Sequence, residues 1–462
     1  MKRIINIVAV ISLFLAHPLA AQKQTPPAGG KAKDFKLSAK TKQKLPNGLG
    51  TTYVQYGTLP KVNVSLIIKT GNMHEGSNQV WLADLTGEML REGTAKMDFA
   101  EISKKAAMMG GNLNVSVGVN QTTISGSVLS EFAPDFIKLI SEVVQQPSFP
   151  ESEIERLKSN LKRNLATQKQ DPQAQAEEKF YQAIYKDHPY GKYFPTEEML
   201  NSYKLQDVKK FYQDNYGAKR SVLYVVGKFD ETAVKTAVNN SFSKWKAGPA
   251  VNFPKVTTAS ITDTIMLDRK GSPQTTIMVG LPVATPNDKD YVPMLVANSL
   301  LGGSFGSRIT SNIRENKGYT YSPYSSISNK LGSTLWYEAA DVTTEHTVAS
   351  LNEIEKEIKR LQMEPPSKDE LQGIQNYEAG IFVLRNSTPG GIIGQLNFLD
   401  LYGLDDSFLT NLVKNIHSVT PEQVSEITKK HIQYDKMVKV MVGDTELIKQ
   451  QVEKQKAAKK TF

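Results

Sequence analysis

The chain of 462 residues contains no cysteine, which excludes disulfide bonds and thiolate metal sites. Histidine is scarce, and no two histidines form an H-x-x-x-H or H-x-x-E-H pair; the six are His17, His74, His188, His346, His417 and His431. The spacing therefore excludes a zinc site built from two histidines on one helical turn. Beyond residue 21 no stretch approaches the ~20 apolar residues of a spanning helix, so we expect no stable membrane span.

The excess of positive charge is modest and partly terminal. The formal net charge is +9, and part of it lies in Lys2, Arg3 and the final run "KQKAAKKTF". Because there is no zinc finger, aromatic RNA-binding box or concentrated basic helix, we expect no nucleic-acid partner. The hydrophobic fraction of 39% and the charged fraction of 22% are typical of a globular protein and exclude wholesale disorder.

The amino-terminal stretch has the pattern of a targeting segment. Residues 1–21 combine a basic pair, an apolar run and the small residues Ala20 and Ala21, which predicts a secretory signal. We therefore expect an exported protein, with the periplasm as its destination. Residues 22–42 are rich in Lys, Pro, Gly and Gln and are predicted to form a linker.

The remaining chain repeats itself at a fixed offset. "KLQDVKKFYQDNY" from Lys204 resembles "TPEQVSEITKKHI" from Thr420, 216 positions later. The Val-Gly pairs that end at Gly227 and Gly443 are also 216 positions apart, as are the starts of "FPESEIERLKSNL" and "PPSKDELQGIQNY". Three matches at one offset predict an internal duplication of a unit of about 200 residues.

Each repeat mixes strands with amphipathic helices. Alternating apolar residues predict strands in "KVNVSLIIKTG", "GNLNVSVGVNQTTISGSVL", "PQTTIMVGLPV" and "GSTLWYEAAD". Helical spacing predicts helices in "SEFAPDFIKLISEVVQ", "SEIERLKSNLKRNLATQKQ" and "VASLNEIEKEIKRLQ". The expected class is α+β, with helices packed on a largely antiparallel sheet in each of two duplicated domains. The predicted domains span 43–245 and 265–462, joined by a linker at 246–264.

One predicted helix carries an unusual set of polar residues. In "LADLTGEML" the apolar residues recur at helical spacing, and Asp84, Gly87 and Glu88 fall between them. Asp84 and Glu88 form an i, i+4 acid pair with Arg91 nearby, which predicts a solvated helix face. A hard-cation site is the alternative interpretation, but two carboxylates fall short of a calcium shell.

Several runs resemble one known family when they are taken in order. "GNMHEG", "LADLTGEMLREGT", "GGNLNVSV", "YKDHPYGKYF" and "NYGAKRSVLYVVGKF" resemble the insulinase, pitrilysin and mitochondrial-processing-peptidase family of zinc proteases. "LGGSFGSRITSNIRENKGYTYS" resembles the carboxy-terminal partner domain of that family. The resemblance implies two peptidase-like domains that form a clamshell chamber and a helix carrying the signature H-x-x-E-H.

The resemblance places the metal site at positions that this chain has changed. The family has histidine, glutamate and histidine where this chain has Asp84, Gly87 and Glu88, and a further glutamate where "QKQDP" aligns Asn164. Zinc sites of this kind depend on imidazole nitrogen, and glycine offers no proton acceptor. We therefore expect no metal and no cofactor in this chain, and no peptide hydrolysis by the chain alone.

The second half retains a pair that the resemblance links to catalysis. Arg314 and Tyr321 in "RENKGYTY" match an arginine and a tyrosine that position substrate and stabilise the oxyanion near zinc. Gly318 is predicted to end the helix carrying Arg314, so that Tyr321 begins the next strand. Two-subunit members of the family imply a heterodimer, in which a zinc-bearing subunit with an intact H-x-x-E-H is the partner.

The resemblance also implies a peptide-binding strand. "GGNLNVSVGVN" matches the family's strand at the chamber wall, where a substrate peptide lies as an added strand; the residues assigned to it are Asn112, Leu113, Asn114 and Val115. An ordinary sheet strand has the same pattern. Two alternatives therefore stay open: a stand-alone peptide-binding or chaperone-like protein, and a protease with an unconventional metal site.

A short glycine motif invites a different interpretation. "GGSFG" fits the G-x-S-x-G nucleophile elbow around Ser304, with Asp341 and either His346 or His417 as partners. The elbow needs a preceding strand, whereas "YVPMLVANSLL" has apolar residues at helical spacing. The sequence thus disfavours a serine hydrolase, and the resemblance implies a flexible loop at the chamber mouth.

Overall fold

The computed structural model describes residues 35–259 and 262–460, so the predicted signal at 1–21 lies outside the described residues. The first repeat builds a six-stranded sheet in the order β1-β2-β6-β3-β5-β4. Its strands are β1 (Lys40–Lys44), β2 (Gly50–Gln55), β3 (Lys61–Ile68), β4 (Asn114–Val117), β5 (Thr122–Leu129) and β6 (Ser221–Gly227). Only the pairing of β2 with β6 is parallel, which makes this sheet largely antiparallel as predicted.

The second repeat builds a five-stranded sheet in the order β7-β11-β8-β10-β9. Its strands are β7 (Thr264–Asp268), β8 (Gln274–Val283), β9 (Tyr324–Lys330), β10 (Ser333–Thr343) and β11 (Val438–Gly443). This order matches the order β2-β6-β3-β5-β4 in the first sheet. Strands β7 and β11 form the parallel pair, as β2 and β6 do in the first sheet. Gly227 and Gly443, which the sequence repeat aligns, end the equivalent strands β6 and β11. The duplication in sequence is therefore a duplication in topology.

The first repeat contains eight helices among the described residues, several of which pack apolar faces on its sheet. They are α1 (Leu82–Arg91), α2 (Phe99–Met108), α3 (Ala133–Gln145), α4 (Ile154–Gln170), α5 (Pro172–Tyr185), α6 (Glu197–Ser202), α7 (Leu205–Asn215) and α8 (Glu231–Phe242). In α1 the buried residues Leu82, Leu85 and Met89 recur at helical spacing and join the main core. The helix predicted from this pattern is confirmed.

The second repeat has a matching set of helices. They are α9 (Tyr291–Asn298), α10 (Arg308–Thr310), α11 (Thr347–Met363), α12 (Lys368–Arg385), α13 (Pro389–Tyr402), α14 (Ser407–Thr410), α15 (Leu412–Ser418), α16 (Pro421–His431) and α17 (Thr445–Lys460). Two wide π-helical turns, Ser299–Gly303 and Ser311–Asn316, continue α9 and α10. The mixture of helices on two sheets confirms the α+β class. Among the described residues, no helix is both long and apolar enough to cross a bilayer.

The two repeats exchange one helix with each other. Helix α5 packs on β8 and β11 of the second sheet, where Phe180 and Ile184 join an apolar cluster with Met278 and Val440. Helix α13 packs on β3 and β6 of the first sheet through a second cluster; its members include Val54, Ile67, Val226, Ile392, Ile393 and Leu396. Because each helix buries its apolar face on the other repeat, separating the repeats would expose both clusters to water.

The predicted linkers differ slightly from the structure. The segment predicted as a linker at 22–42 contains the start of β1, because Lys40–Lys44 pairs with β2 through its backbone although its side chains are polar. Residues 246–259 form neither helix nor strand, and β7 begins at Thr264, the last residue of the predicted linker at 246–264.

Candidate functional site

Glu75 organises the start of the helix that carries the changed metal positions. Its carboxylate accepts backbone N–H bonds from Trp81 at 3.2 Å and from Ala83 at 2.8 Å. These are N–H groups that the first turn of α1 would otherwise leave unpaired. Burial raises the pKa of Glu75 to about 8, although these backbone hydrogen bonds oppose the shift. The sequence reasoning did not identify Glu75, which lies within the quoted run "GNMHEG".

Asp84 lies on the enclosed side of α1. Its Oδ2 accepts a hydrogen bond of 2.6 Å from Asn72 Nδ2, and burial raises its pKa. Glu88 is partly exposed, with Oε2 3.6 Å from Arg91 Nη1. The expected contact between Arg91 and Glu88 is therefore present. The prediction of one solvated acid pair is wrong for Asp84, because neighbouring elements cover that side of the helix.

Gly87, at the position of the family's catalytic base, is buried against β4. A Cβ atom built on Gly87 would lie 2.5 Å from Val117 Cγ2 and 3.6 Å from Val115 Cγ1. The strand therefore fills the space that a larger side chain at residue 87 would need. A side chain at this position requires the Val117 side chain to shift.

Asn164 on α4 meets Asp84 at one cavity of about 260 Å³. Its Oδ1 accepts a hydrogen bond of 3.0 Å from Gln168 Nε2. The structure thus brings together two of the four positions that the resemblance links to zinc. One carboxylate and one amide, without imidazole, do not fit a zinc ion. Among the described residues, no three His, Cys, Asp or Glu side chains cluster closely enough to hold a metal.

The cavity also contains a lysine that the sequence reasoning missed. Lys330 comes from β9 of the second repeat, and its Nζ lies 4.5 Å from the ring centre of Tyr181 and 5.6 Å from that of Tyr190. Burial lowers the pKa of Lys330 to about 8. Tyr190 and Tyr193 belong to the quoted run "YKDHPYGKYF", but no pattern in the sequence connects that run to residue 330.

Arg314 and Tyr321 lie together at the surface and are not among the residues that line this cavity. The Arg314 guanidinium is 4.4 Å from the ring centre of Phe305 and 5.1 Å from that of Tyr321. Both rings are exposed, Phe305 to 73% and Tyr321 to 81%. Arg314 Nη1 also lies 3.4 Å from Oε1 of the exposed Glu315, so this stacking fixes a guanidinium that is already paired at the surface on one side. The arrangement can present a positioned cation and a phenol to a bound carbonyl group.

The surroundings of this pair differ in part from the prediction. Gly318 has a positive φ of 65° just after the turn that carries Arg314, as expected for a helix end. That turn is π-helical. The prediction that Tyr321 begins a strand is wrong, since β9 begins at Tyr324. Pro323 has no backbone N–H group to donate, so regular pairing starts after it.

The predicted peptide-binding strand is the edge strand β4. It pairs only with β5, in the register Asn114 with Ser125, and its other edge has no neighbouring strand in the described sheet. Asn114 and Val115 belong to β4, whereas Asn112 and Leu113 precede it. An exposed strand edge can add a peptide through main-chain hydrogen bonds.

Ser304 follows the π-helical turn Ser299–Gly303 and not a strand. A nucleophile elbow places its serine directly after a strand. The helical interpretation of the preceding sequence is therefore confirmed, and Ser304 lacks the strand–turn–helix setting of an elbow.

Comparison with known proteins decides the family. The family model described as Insulinase (Peptidase family M16) matches residues 53–194, and that described as Peptidase M16 inactive domain matches residues 202–377. The chain belongs to the insulinase family. The crystal structure of a peptidase M16 inactive domain from Pseudomonas fluorescens is similar at 26% identity with a TM-score of 0.80, covering 88% of this chain and 98% of that one.

The relatives of this M16 chain include proteins described as zinc proteases and one described as a non-peptidase. A "Non-peptidase homolog YmxG" of Helicobacter pylori is 24% identical over 401 residues, 85% of this chain and 91% of that protein. An "Uncharacterized zinc protease" of Rickettsia bellii is 27% identical over 324 residues, 69% of this chain and 77% of that protein. With its metal and base positions changed, the present chain is an inactive peptidase homologue of the family.

Proposed function

We propose that this M16 chain is the non-catalytic subunit of an exported heteromeric metallopeptidase. Its partner carries zinc at an intact H-x-x-E-H, and the two chains act on peptides in the periplasm. The observation that carries the proposal is the contrast between two sites. A Cβ added at Gly87, the base position, would lie 2.5 Å from Val117 Cγ2. The Arg314 guanidinium, by contrast, lies at the surface near two exposed rings and the exposed Glu315, where another molecule can reach it.

The chemistry of the exposed pair supports action in trans. A carbonyl oxygen that gains negative charge during hydrolysis is stabilised by a fixed cation and a hydroxyl donor. Arg314 and Tyr321 supply both groups, and neither lines the Asp84 cavity in this chain. The exchanged helices α5 and α13 pack the two repeats directly on each other. A chamber that includes Arg314 is therefore best completed by a second polypeptide.

Peptide binding is the second part of the proposal. The free edge of β4 offers backbone donors and acceptors that hold a peptide with little dependence on its sequence. This edge equally supports the second candidate function, a stand-alone peptide-binding or chaperone-like protein. Co-purification with a zinc-bearing relative encoded nearby separates the two candidates, because only the first requires a stable mixed complex.

The test is peptide cleavage by the purified mixed complex carrying Arg314→Ala. Loss of one oxyanion donor lowers kcat by about 10²–10³-fold, so we expect a loss of this order with assembly intact. Arg163→Ala, at an exposed arginine on α4, is the matched control and should leave cleavage unchanged. Unaltered cleavage by the Arg314→Ala complex would refute the assignment, whereas loss of assembly would show an interface role instead.

A further inference from the structure

The cavity between Asp84 and Lys330 has the size and lining of a ligand pocket. Its volume is about 260 Å³, larger than the ~150 Å³ cavities that accept a benzene ring. Aromatic side chains form much of its wall; they are Trp81, Tyr181, Tyr190 and Tyr193. Convergent polar groups on an aromatic wall are typical of small-ligand sites.

Lys330 is the unusual group in this wall. Its ammonium has three N–H donors, yet in the described part of the chain it makes no hydrogen bond or ion pair and contacts only the faces of Tyr181 and Tyr190. Glu177 is the acidic group whose charge acts on it, and the Oε2 atom of Glu177 already accepts the Tyr193 hydroxyl at 2.5 Å. Lys330 is half-buried, so its ammonium keeps donors available at the cavity for an acceptor that a ligand can supply.

The other polar groups of the cavity favour a negatively charged ligand. Asn164 replaces an acidic metal ligand of the family with an amide, and Gln168 occupies its Oδ1, which leaves the Nδ2 donors for a ligand. Lys192 adds a second cation to the lining. The one acid in the lining, Asp84, is bound to Asn72, and burial favours its neutral form.

We propose that this cavity binds a carboxylate group of a peptide, through Lys330 and the amide of Asn164. This inference rests on the peptide-binding part of the proposed function and names the group that is recognised. A carboxylate fits one half-buried ammonium and one amide donor. The wall residue Val119 lies two residues beyond the end of β4, so a peptide along that edge reaches the cavity. The carboxylate is that of the carboxy terminus or of an Asp or Glu side chain.

The experiment measures peptide affinity of the purified full chain by calorimetry. The probes are acetylated octapeptides of one sequence that differ in the terminal group, carboxylate or amide, and in one internal residue, Glu or Gln. We expect the loss of the recognised carboxylate to weaken binding about 10–100-fold. The pair of probes that differs in affinity shows whether the recognised carboxylate is the carboxy terminus or a side chain. Equal affinity in all four probes would overturn the inference while leaving the proposed peptide binding intact, whereas no binding of any probe would contradict both.

Two variants test the residues. Lys330→Met should abolish the preference for the carboxylate and retain the affinity for the neutral probe, whereas Lys104→Met, at an exposed lysine on α2, should change neither. Asn164→Asp places a negative charge at an exposed position of the wall and should weaken only the carboxylate probe, even if Lys330→Met fails to fold. Persistence of the preference in both variants would overturn the assignment.

Discussion

The packing of β4 on α1 predicts that a methyl group at Gly87 strains the fold. The new Cβ would lie 2.5 Å from Val117 Cγ2, whereas carbon atoms pack best at about 3.5–4.0 Å. Valine is stiff at χ1, so either a less favourable Val117 rotamer or a small displacement of the strand must relieve the contact, at a cost of about 1–3 kcal/mol. The gain in helix propensity from Gly to Ala is about 1 kcal/mol. We therefore expect Gly87→Ala to lower the free energy of unfolding by about 0–2 kcal/mol.

The double variant isolates this contact. Val117→Ala removes the obstructing methyl group, so in Gly87→Ala/Val117→Ala the helix gain is realised without strain. Urea unfolding of the four proteins should give a coupling energy of about 1–3 kcal/mol, with the double variant more stable than the sum of the single changes. Gly373→Ala on α12 is the matched control, because nothing lies within 4 Å of its added Cβ, and it should be neutral or stabilising. Additivity within about 0.5 kcal/mol would refute the packing argument.

Two further predictions concern other charged groups. Arg308 Nε and Nη2 each donate a 2.8 Å bond to the Glu370 carboxylate. Arg308→Met should therefore lower the free energy of unfolding by about 1–3 kcal/mol. The loss is smaller than for a fully buried pair because solvent screens Glu370. An unchanged midpoint of urea unfolding would contradict this prediction. Because the pKa of Glu75 is raised from 4.5 to about 8, the folded chain keeps a proton that the unfolded chain releases. The stability contributed by Glu75 should thus fall as pH rises from about 4.5 to 8 and stay constant above that range. Glu75→Gln should remove this slope from a plot of unfolding free energy against pH. The same slope in the variant and the unchanged protein would contradict the prediction.

The strands and helices that were predicted could be recognised because each shows a regular apolar pattern; they are β3, β4, β5, β8, β10, α1, α3, α4, α9 and α11. The polar strand β1 has no such pattern and was assigned to the linker. The repeat at a 216-residue offset likewise anticipated the equivalence of Gly227 in β6 and Gly443 in β11. The exchange of α5 and α13 could not be predicted in the same way. An amphipathic helix requires an apolar partner, but its periodicity does not say which of two similar sheets provides it. The exchange follows from tertiary packing alone.

Only part of the candidate site could be predicted from the sequence, for the same reason. The resemblance located Asp84 and Asn164, which face one cavity. Lys330 could not be predicted as part of the site, because it lies in the other repeat and reaches the cavity only through the contact of the two repeats. The burial of Asp84 was also missed, since an i, i+4 acid pair is the pattern of a solvated helix. Sequence patterns report local faces, whereas this cavity is assembled from distant segments.

The hydrogen bonding around Asn72 explains how two enclosed acids are tolerated beside the former metal positions. Its Nδ2 donates to Asp84 Oδ2 at 2.6 Å and to Glu75 Oε1 at 3.2 Å, and burial raises the pKa of both carboxyl groups. The amide donor and, at Glu75, a retained proton therefore limit the negative charge that a metal ion would otherwise balance. Restoring histidines at 84 and 88 would leave Val117 against Gly87, where the base must stand. Metal binding and hydrolysis are thus separable in this fold, and recovery of hydrolysis also requires the Val117 side chain to make room at residue 87.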